Sequence, residues 1–372
     1  MEEARGPVPD RAARGRRVRR VVPRTVLYSE HFQKEPGARE FPGEPGENTE
    51  TPSRGERQPV VALIGPTAVG KTAVSLELAV HLGAEIISVD SRQVYRYMDV
   101  GTDKIAASER RRVPHHAVDV ADPDEVFTVS DFVSLALGAV RRIRARGRVP
   151  LFVGGTPFYY NALFHAAMNV SLPHDPEVRR RYEERAALEG PPALHARLAE
   201  VDAVTANRLH PNDVRRVVRA LEIWDLTGTP PSRLYAEGEK ADSGLSVLYV
   251  GLNRPRPELF ERIAERARHQ FASGYPEEVS WLIEHGFDER FPSMQGFGYR
   301  ELAAWYRGRL SLDEALEGDI SRTRAFCRRQ MTWFGKFEPA LWYDTSALSA
   351  LELERRVREA ASRHLEGWRG GA

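Results

Sequence analysis

The sequence predicts an α/β protein with a parallel β-sheet at its core, and three features carry that prediction. Short apolar runs alternate with helical segments between about residues 59 and 160, which is the pattern of a parallel sheet covered by helices on both faces. A glycine-rich loop follows the first run and opens a helix. Beyond residue 175 helical spacing dominates, so we expect a helical insertion and a helical C-terminal region in addition to the sheet.

The predicted elements follow one another along the chain. Apolar runs bounded by glycine, proline or polar residues predict buried strands at 60–64, 85–89, 116–120, 150–153 and 246–251. Periodic apolar residues predict helices at 73–82 and 129–146, the second with Ser130 or Asp131 as its N-terminal cap. Later helices are expected at 177–188, 212–226, 257–272, 276–285, 299–306, 312–334 and 351–368.

This order divides the chain into five parts. Residues 58–174 are expected to form the first part of the sheet core, 175–243 a helical insertion, 244–347 the completion of the core and 348–372 a C-terminal helix. Residues 1–57 are predicted to be a disordered tail, because an arginine-rich stretch is followed by a Pro/Gly/Glu-rich run with little to bury. A solvated extension or a mis-assigned start codon explains this tail, and an RNA-contacting arm is the alternative.

Composition narrows the class of protein. The 372 residues contain a single cysteine, Cys327, which excludes an internal disulfide and a multi-cysteine zinc site. No apolar run of about 18 residues and no apolar signal segment is present, so we expect a cytoplasmic protein with no membrane partner. The 54 basic residues balance 53 acidic ones, and only five of the basic residues are lysines. A GC-rich genome explains the arginine total, but a local arginine patch is sufficient to bind nucleic acid.

The strongest motif is GPTAVGKT at 65–72, which matches G-x-x-x-x-G-K-[ST]. It lies between a predicted buried strand and a helix, where backbone N–H groups and the helix N-terminus can surround an anion. Lys71 would reach the distal phosphate oxygens, and the Thr72 hydroxyl would ligate Mg²⁺. The motif predicts a P-loop NTPase-like core and a site for a di- or triphosphate, formed by Gly65, Pro66, Thr67, Ala68, Val69, Gly70, Lys71 and Thr72.

Polar residues follow two further predicted strands. Asp90, Ser91 and Gln93 follow the second strand, and Thr156 follows the glycine pair after the fourth. Because the carboxyl ends of parallel strands meet at the ligand-binding edge of a sheet, we expect these groups to share one cleft with the glycine-rich loop at 65–72, the phosphate loop. Asp90 is a candidate metal ligand or general base and Thr156 a candidate phosphate contact, with helix capping as the alternative for each.

The roles of several other polar and aromatic residues are undecided from the sequence. Asp119 is a candidate Mg²⁺-associated carboxylate, whereas the adjacent histidines 115 and 116 are interpreted as packing or surface residues. Tyr159 or Tyr160 is a candidate for stacking on a base.

Arginines cluster in two predicted helices. One contains Arg215, Arg216 and Arg219, and the other combines four arginines with Gln330 and two aromatic residues over 321–333. Arginines that face phosphate give salt-dependent affinity for nucleic acid, and aromatic rings offer stacking surfaces. A solvated helix face is the alternative for each cluster.

Together these motifs resemble the tRNA dimethylallyltransferase (tRNA isopentenyltransferase) family, bacterial type. The matching segments span about 59–345 in order and include GPTAVGKT at 65–72, SVDSRQVY at 88–95, MDVGTDK at 98–104, PHH at 114–116, GGTPFYY at 154–160, HPNDVRRVVRALE at 210–222, GFGYREL at 296–302 and TRAFCRRQMTWF at 323–334. One departure is Gly335, where basic residues often follow the Trp-Phe pair. The zinc-finger extension of eukaryotic members is absent from the sequence.

The resemblance implies transfer of the dimethylallyl group of dimethylallyl diphosphate to N6 of adenosine 37, beside the anticodon of tRNAs that read codons starting with U. The phosphate loop would hold the diphosphate leaving group with Mg²⁺, and Arg266 would be a second diphosphate clamp. Asp90 would accept the N6 proton, and Thr156 would bridge to the diphosphate. The tRNA anticodon stem-loop and dimethylallyl diphosphate are therefore the expected partners of a monomeric enzyme. The residues implied to bind tRNA are Asp90, Ser91, Arg92, Gln93, Thr156, Arg179, Arg215, Arg216, Arg219, Gly298, Tyr299, Arg300, Arg324, Arg328, Arg329 and Gln330.

Three other functions compete with this one. A P-loop small-molecule kinase accounts for the loop but not for the arginine-rich helices. A prenyltransferase that acts on free adenine nucleotides has no use for RNA-facing arginines. A non-catalytic, GTPase-like RNA-binding module would carry a guanine-specific motif such as N-K-x-D, which the sequence lacks.

Overall fold

The computed structural model describes residues 57–165, 172–238 and 243–366. The predicted tail lies outside these ranges except for Arg57. No helix in the described ranges is both long enough and apolar enough to cross a membrane.

The centre of the described chain is a six-stranded sheet in which every pairing is parallel. Its spatial order is β3-β2-β4-β1-β5-β6, so the first strand lies between the fourth and the fifth. The predicted α/β class is confirmed. The strands are β1 (Gln58–Ile64), β2 (Ala84–Val89), β3 (His115–His116), β4 (Val149–Gly154), β5 (Leu245–Asn253) and β6 (Ala340–Asp344).

Fourteen α-helices and one 3₁₀ turn (Pro292–Gln295) accompany the sheet in the described ranges. The helices are α1 (Lys71–Leu82), α2 (Ala107–Arg112), α3 (Val129–Ala145), α4 (Pro157–Phe164), α5 (Pro176–Glu189), α6 (Pro191–Val201), α7 (Ala203–Arg208), α8 (Val214–Thr227), α9 (Pro231–Gly238), α10 (Arg256–Ala272), α11 (Tyr275–Glu284), α12 (Tyr299–Tyr306), α13 (Leu312–Phe334) and α14 (Ala350–Leu365).

The two faces of the sheet bury separate cores, because successive side chains of a strand point to opposite faces. In β1, Val61 and Leu63 pack with apolar residues of α1 and α14. Val60, Ala62 and Ile64 pack on the other face with residues of α3 and α4. A strand that is buried on both faces appears in the sequence as a continuous apolar run, which is why β1 could be predicted.

Helices α5 to α8 have a core of their own. Its buried side chains include Tyr182, Leu198, Val217 and Leu221, and all of its members come from this group of helices or the turns between them. The helical segment that the sequence indicates after residue 175 is therefore held together largely by its own apolar contacts.

Two local predictions were wrong, and one strand was missed. The strand expected at 116–120 ends at His116, because Ala117 and Asp119 take left-handed backbone conformations with φ of 61° and 55°. The cap of α3 is Thr128, which forms a capping box with Asp131, and Ser130 lies within the helix. The edge strand β6 was not predicted, and it pairs with β5 from Tyr249 to Asn253.

Candidate active site

The carboxyl ends of β1, β2 and β4, which are neighbours in the sheet, open into one cavity of about 750 Å³. Helices α10 and α13 and the segment 101–105 complete its walls. The cavity lies where parallel α/β sheets bind ligands. It brings together Lys71, Thr72, Asp90, Thr156 and Arg266, which come from four separate places in the sequence.

The loop 65–70 owes its shape to two glycines. Gly65 has a φ of +149°, and a Cβ atom there would lie 2.5 Å from the carbonyl oxygen of Leu252. Gly70 has a φ of +102° immediately before α1 begins at Lys71. The loop backbone can therefore turn tightly and present its N–H groups, together with the N-terminus of α1, to an anion.

Lys71 is held within this loop. Its ammonium donates hydrogen bonds to the carbonyl oxygens of Gly65 (3.0 Å) and Pro66 (2.8 Å). Burial lowers the pKa of Lys71 to about 8, and the nearby Arg266 lowers it too, while Asp90 acts in the opposite direction. A bound polyanion would supply the negative charge that favours the protonated lysine.

Asp90 is fixed by the turn that follows β2. Its Oδ1 accepts hydrogen bonds from the backbone N–H groups of Arg92 (2.8 Å) and Gln93 (3.3 Å). Among the residues that the structure describes, none donates a hydrogen bond to Oδ2. One oxygen of the carboxylate therefore anchors the turn, and the other is free to act in the cavity.

Thr156 lies beside Asp90. Its Oγ1 accepts a hydrogen bond from the N–H of Ser91 (3.2 Å), and its own N–H donates to the carbonyl oxygen of Val89. Gly154 permits this approach, because a Cβ atom there would lie 2.1 Å from the Val89 carbonyl oxygen. Thr156 does not cap α4 with its side chain, so the capping alternative is not observed for this residue.

The wall contributed by α10 carries two arginines. Arg266 lies 3.6 Å from Asp103, and its buried Nε has no hydrogen-bond partner in the described ranges. Arg262, for which the sequence suggested no role, donates a 2.8 Å hydrogen bond from Nε to the carbonyl oxygen of Ala68 in the phosphate loop.

Asp319 is a cavity residue that sequence reasoning missed. It is 6% exposed, accepts a hydrogen bond from the Thr323 hydroxyl (3.1 Å) and lines the cavity from α13. Burial raises its pKa to about 6. No motif surrounds it in the sequence, and only its tertiary position brings it to the site.

A buried carboxylate organises the cavity segment after β2. Glu278 accepts hydrogen bonds from the N–H groups of Asp99, Val100 and Gly101 and from the hydroxyl of Tyr299 (2.7 Å). Burial raises the pKa of Glu278. The same segment is joined to the Asp90 turn, because Gln93 Nε2 donates to the carbonyl oxygens of residues 102 and 103.

Four further residues implied to bind tRNA are engaged or buried within the protein. Tyr299 is buried against Glu278, and Arg92 donates to the carbonyl oxygens of Pro292 (2.7 Å) and Ser293 (3.1 Å). Arg219 donates to Glu222 and to the carbonyl oxygens of residues 172 and 173. Gly298 is likewise buried, where it precedes α12.

Gln330 is 2% exposed. Its side chain lines the cavity, and its amide is hydrogen-bonded to Thr67 and Gly155.

Other arginines implied to bind tRNA remain on the surface. Arg215, Arg216, Arg300, Arg328 and Arg329 are exposed. Arg179 contacts Glu222 (2.9 Å) with its side chain 45% exposed. Arg324 is half-buried, where it donates to the carbonyl oxygen of Phe260. Arg328 and Arg329 line a second, shallow cavity of about 290 Å³ together with the exposed Trp333.

Two open hypotheses are not supported. Asp119 is not among the cavity residues, and its carboxylate pairs with Lys104 (2.7 Å) and Arg110 (2.5 Å). Tyr159 stacks on Phe132 within the core, and Tyr160 is fully buried, so neither ring is available to a base. Among the described residues no group of three or more His, Cys, Asp or Glu side chains gathers as a metal site.

Comparison with known protein families identifies relatives of this chain. The family model described as "IPP transferase" matches residues 93–337, and one described as "Isopentenyl transferase" matches residues 58–113. A tRNA dimethylallyltransferase of Thermomicrobium roseum is 45% identical over 309 residues, which cover 82% of this chain and 93% of the relative. Its counterpart in Dictyoglomus turgidum is 42% identical, with 80% and 91% covered.

Solved structures give the same result. The crystal structure of the full-length tRNA isopentenylpyrophosphate transferase from Bacillus halodurans is 36% identical, with a TM-score of 0.62 and coverage of 84% of this chain and 97% of that one. A eukaryotic dimethylallyltransferase captured acting on tRNA is 27% identical, with a TM-score of 0.66 and coverage of 81% and 77%.

Proposed function

Because this chain belongs to the tRNA dimethylallyltransferase family, we propose that its cavity transfers a dimethylallyl group from dimethylallyl diphosphate to N6 of adenosine 37 in tRNAs that read codons starting with U. The observation that carries the proposal is that Lys71 of the phosphate loop and Asp90 of the neighbouring strand end line the same cavity. The Lys71 ammonium can stabilise a departing diphosphate, and the Asp90 carboxylate can accept a departing proton.

The phosphate loop binds the leaving group in this proposal. Loop N–H groups, the N-terminus of α1 and the Lys71 ammonium surround the diphosphate, and Arg266 approaches it from α10. Such preorganised positive groups stabilise the negative charge that develops as the allylic C–O bond breaks. The unpartnered Nε of Arg266 supports this role, since a buried donor is costly unless a ligand satisfies it.

The donor set around the loop is compatible with Mg²⁺. Thr72 is exposed at the start of α1, and both it and Asp90 line the cavity. Mg²⁺ commonly takes only one or two protein oxygens, with substrate phosphates and water completing its shell. When bound, the ion would neutralise charge on the diphosphate, with Thr72 as its protein ligand.

Asp90 receives the proton on the adenosine side. As a bond forms between N6 and C1 of the dimethylallyl group, the C1–O bond breaks and the electron pair leaves with the diphosphate. The proton released from N6 passes to Asp90. The two backbone hydrogen bonds to Oδ1 fix the carboxylate for this step, and the adjacent Thr156 hydroxyl bridges towards the diphosphate.

The tRNA anticodon stem-loop lies outside the cavity with its target base turned into it, since a stacked base cannot reach the buried strand ends. The exposed arginines of α8, α12 and α13 supply the phosphate contacts. We propose that the enzyme acts as a cytoplasmic monomer, for which sedimentation with and without a stem-loop is the test.

The function is tested by incubating the protein with Mg²⁺, dimethylallyl diphosphate and an unmodified anticodon stem-loop. Nucleoside mass analysis should show the added dimethylallyl group on adenosine 37 and none on a stem-loop with guanosine at that position. Equal or better prenylation of free AMP would contradict the tRNA substrate. Phosphorylation by ATP without prenyl transfer would contradict the reaction itself.

A further inference from the structure

The side chain of Gln330 joins two loops that are far apart in sequence. Its Oε1 accepts a 3.0 Å hydrogen bond from the N–H of Thr67, and its Nε2 donates a 2.5 Å hydrogen bond to the carbonyl oxygen of Gly155. The side chain is 2% exposed on α13. Both ends of one amide are therefore used, at a position where the side chain lines the cavity.

The Gln330 amide occupies the space where a side chain at position 155 would begin. A Cβ atom at residue 155 would lie 2.6 Å from Nε2 of Gln330, whereas the next side chain, the Lys71 ammonium, would be 3.8 Å away. The φ angle of Gly155 is not in the left-handed region, so the backbone itself admits alanine. The principal obstacle to a larger residue at 155 is the Gln330 amide.

The two loops serve different halves of the proposed reaction. Thr67 belongs to the loop that holds the diphosphate. Gly155 directly precedes Thr156, whose hydroxyl is bonded to the turn that carries Asp90. Gln330 thus spans the distance between the leaving-group side and the nucleophile side of the cavity.

We propose that Gln330 is a positioning residue. It sets the separation between the phosphate loop and the pair of residues Asp90 and Thr156. The inference rests on the proposed function. Attack on an allylic carbon requires N6, C1 and the departing oxygen to be aligned, and a misplacement of about 1 Å costs on the order of 100-fold in rate. The side chain lines the cavity, and because both ends of its amide are bonded to the two loops, we assign it this role in place of the tRNA contact that the resemblance implied.

The test is Gln330→Met, which keeps the length of the side chain and removes both hydrogen bonds. At saturating substrates we expect kcat to fall by about 10- to 100-fold. The Kd for the anticodon stem-loop should stay within about twofold of wild type, because the RNA-facing side chains of α13 are untouched. Ser321→Ala, an exposed position on the same helix, is the matched control and should leave kcat unchanged.

Wild-type enzyme in the same assay separates the two proposals. If it transfers no dimethylallyl group, the proposed function fails. If wild type is active and Gln330→Met has the same kcat, only the positioning role is overturned. A weaker stem-loop Kd with kcat intact at saturation would make Gln330 an RNA contact instead.

A double-mutant cycle keeps the inference testable if Gln330→Met folds poorly. Gly155→Ala should lower kcat in the wild-type background, because the new methyl displaces the amide. In a Gln330→Ala background the space is open, and the same change should alter kcat by less than about twofold, the non-additivity expected of residues in contact. Additive losses would overturn the proposal.

Discussion

The ammonium of Lys71 donates a 2.8 Å hydrogen bond to the carbonyl oxygen of Pro66, within the loop that is proposed to receive the diphosphate. The loop's own backbone therefore keeps the charged group in place before the ligand binds. The arrangement has an electrostatic cost, because burial lowers the pKa of Lys71 to about 8.

The pKa of Lys71 predicts an alkaline limit to catalysis. As pH rises through about 8, the free enzyme loses the positive charge of Lys71, so kcat/KM for dimethylallyl diphosphate should fall above this pH. The corresponding fall in kcat should occur at higher pH than the fall in kcat/KM, since the bound diphosphate favours the protonated form of Lys71. Initial rates between pH 6.5 and about 9.5 test this, and a flat kcat/KM across the range would contradict it.

Asp90→Ala should abolish turnover while preserving tRNA binding. Loss of a positioned general base costs about 10²- to 10⁴-fold in kcat, whereas RNA affinity is proposed to depend mainly on the exposed arginines. Single-turnover rates and stem-loop binding measured in parallel give the answer, with the exposed Asp124→Ala as the control. If stem-loop binding is lost instead, Asp90 is a recognition residue.

Glu278→Ala should destabilise the protein, because three backbone N–H groups and the Tyr299 hydroxyl lose their acceptor. We expect a loss of about 1–3 kcal/mol or more in the free energy of unfolding, measured by urea denaturation. Glu277, the preceding residue, is exposed, and its alanine variant should stay within about 0.5 kcal/mol of wild type. Equal stability of the two variants would show that Glu278 does not anchor the 99–101 segment.

Replacing Arg328 and Arg329 together by glutamine should weaken stem-loop binding and flatten its dependence on salt. Each lost phosphate contact lowers the slope of log K against log salt by about 0.7–0.9. The Kd for diphosphate should not change, because both side chains lie outside the main cavity. Arg355→Gln on α14, where Arg355 pairs with Glu352 and Glu359, is the control, and an unchanged salt slope in the double variant would remove α13 from the RNA surface.

The parts of the site that could be predicted from sequence depend on local spacing. The glycines and Lys71 of the loop act within eight residues, and Asp90 directly follows an apolar strand, so pattern and chemistry coincide there. Arg219 and Gln330 stand in polar helix segments whose composition suggests RNA contacts. Arg219 pairs with Glu222 three residues along its helix, but the partners Pro173 of Arg219 and Thr67 of Gln330 are 46 and 263 residues away, and no spacing rule identifies those two.

Prediction of the fold from local sequence has the same limit. Strands such as β1 are buried on both faces and produce a clear apolar run, whereas β6 is a five-residue edge strand with mixed exposure. The early end of β3 depends on left-handed backbone at Ala117 and Asp119, and Lys104 and Arg110 hold the Asp119 side chain there. Conformations of this kind are set by partners elsewhere in the chain.

The hydrogen bond from Thr67 to Gln330 can form only late during synthesis on the ribosome. Thr67 belongs to the loop after the first strand of the core, and Gln330 is residue 330 of 372. The nascent loop therefore emerges long before its final partner exists, and it is completed only when helix α13 has been made. An unfinished chain would carry the phosphate loop without the contact proposed to align it, so competence for chemistry would arrive together with the helix proposed to present arginines to RNA.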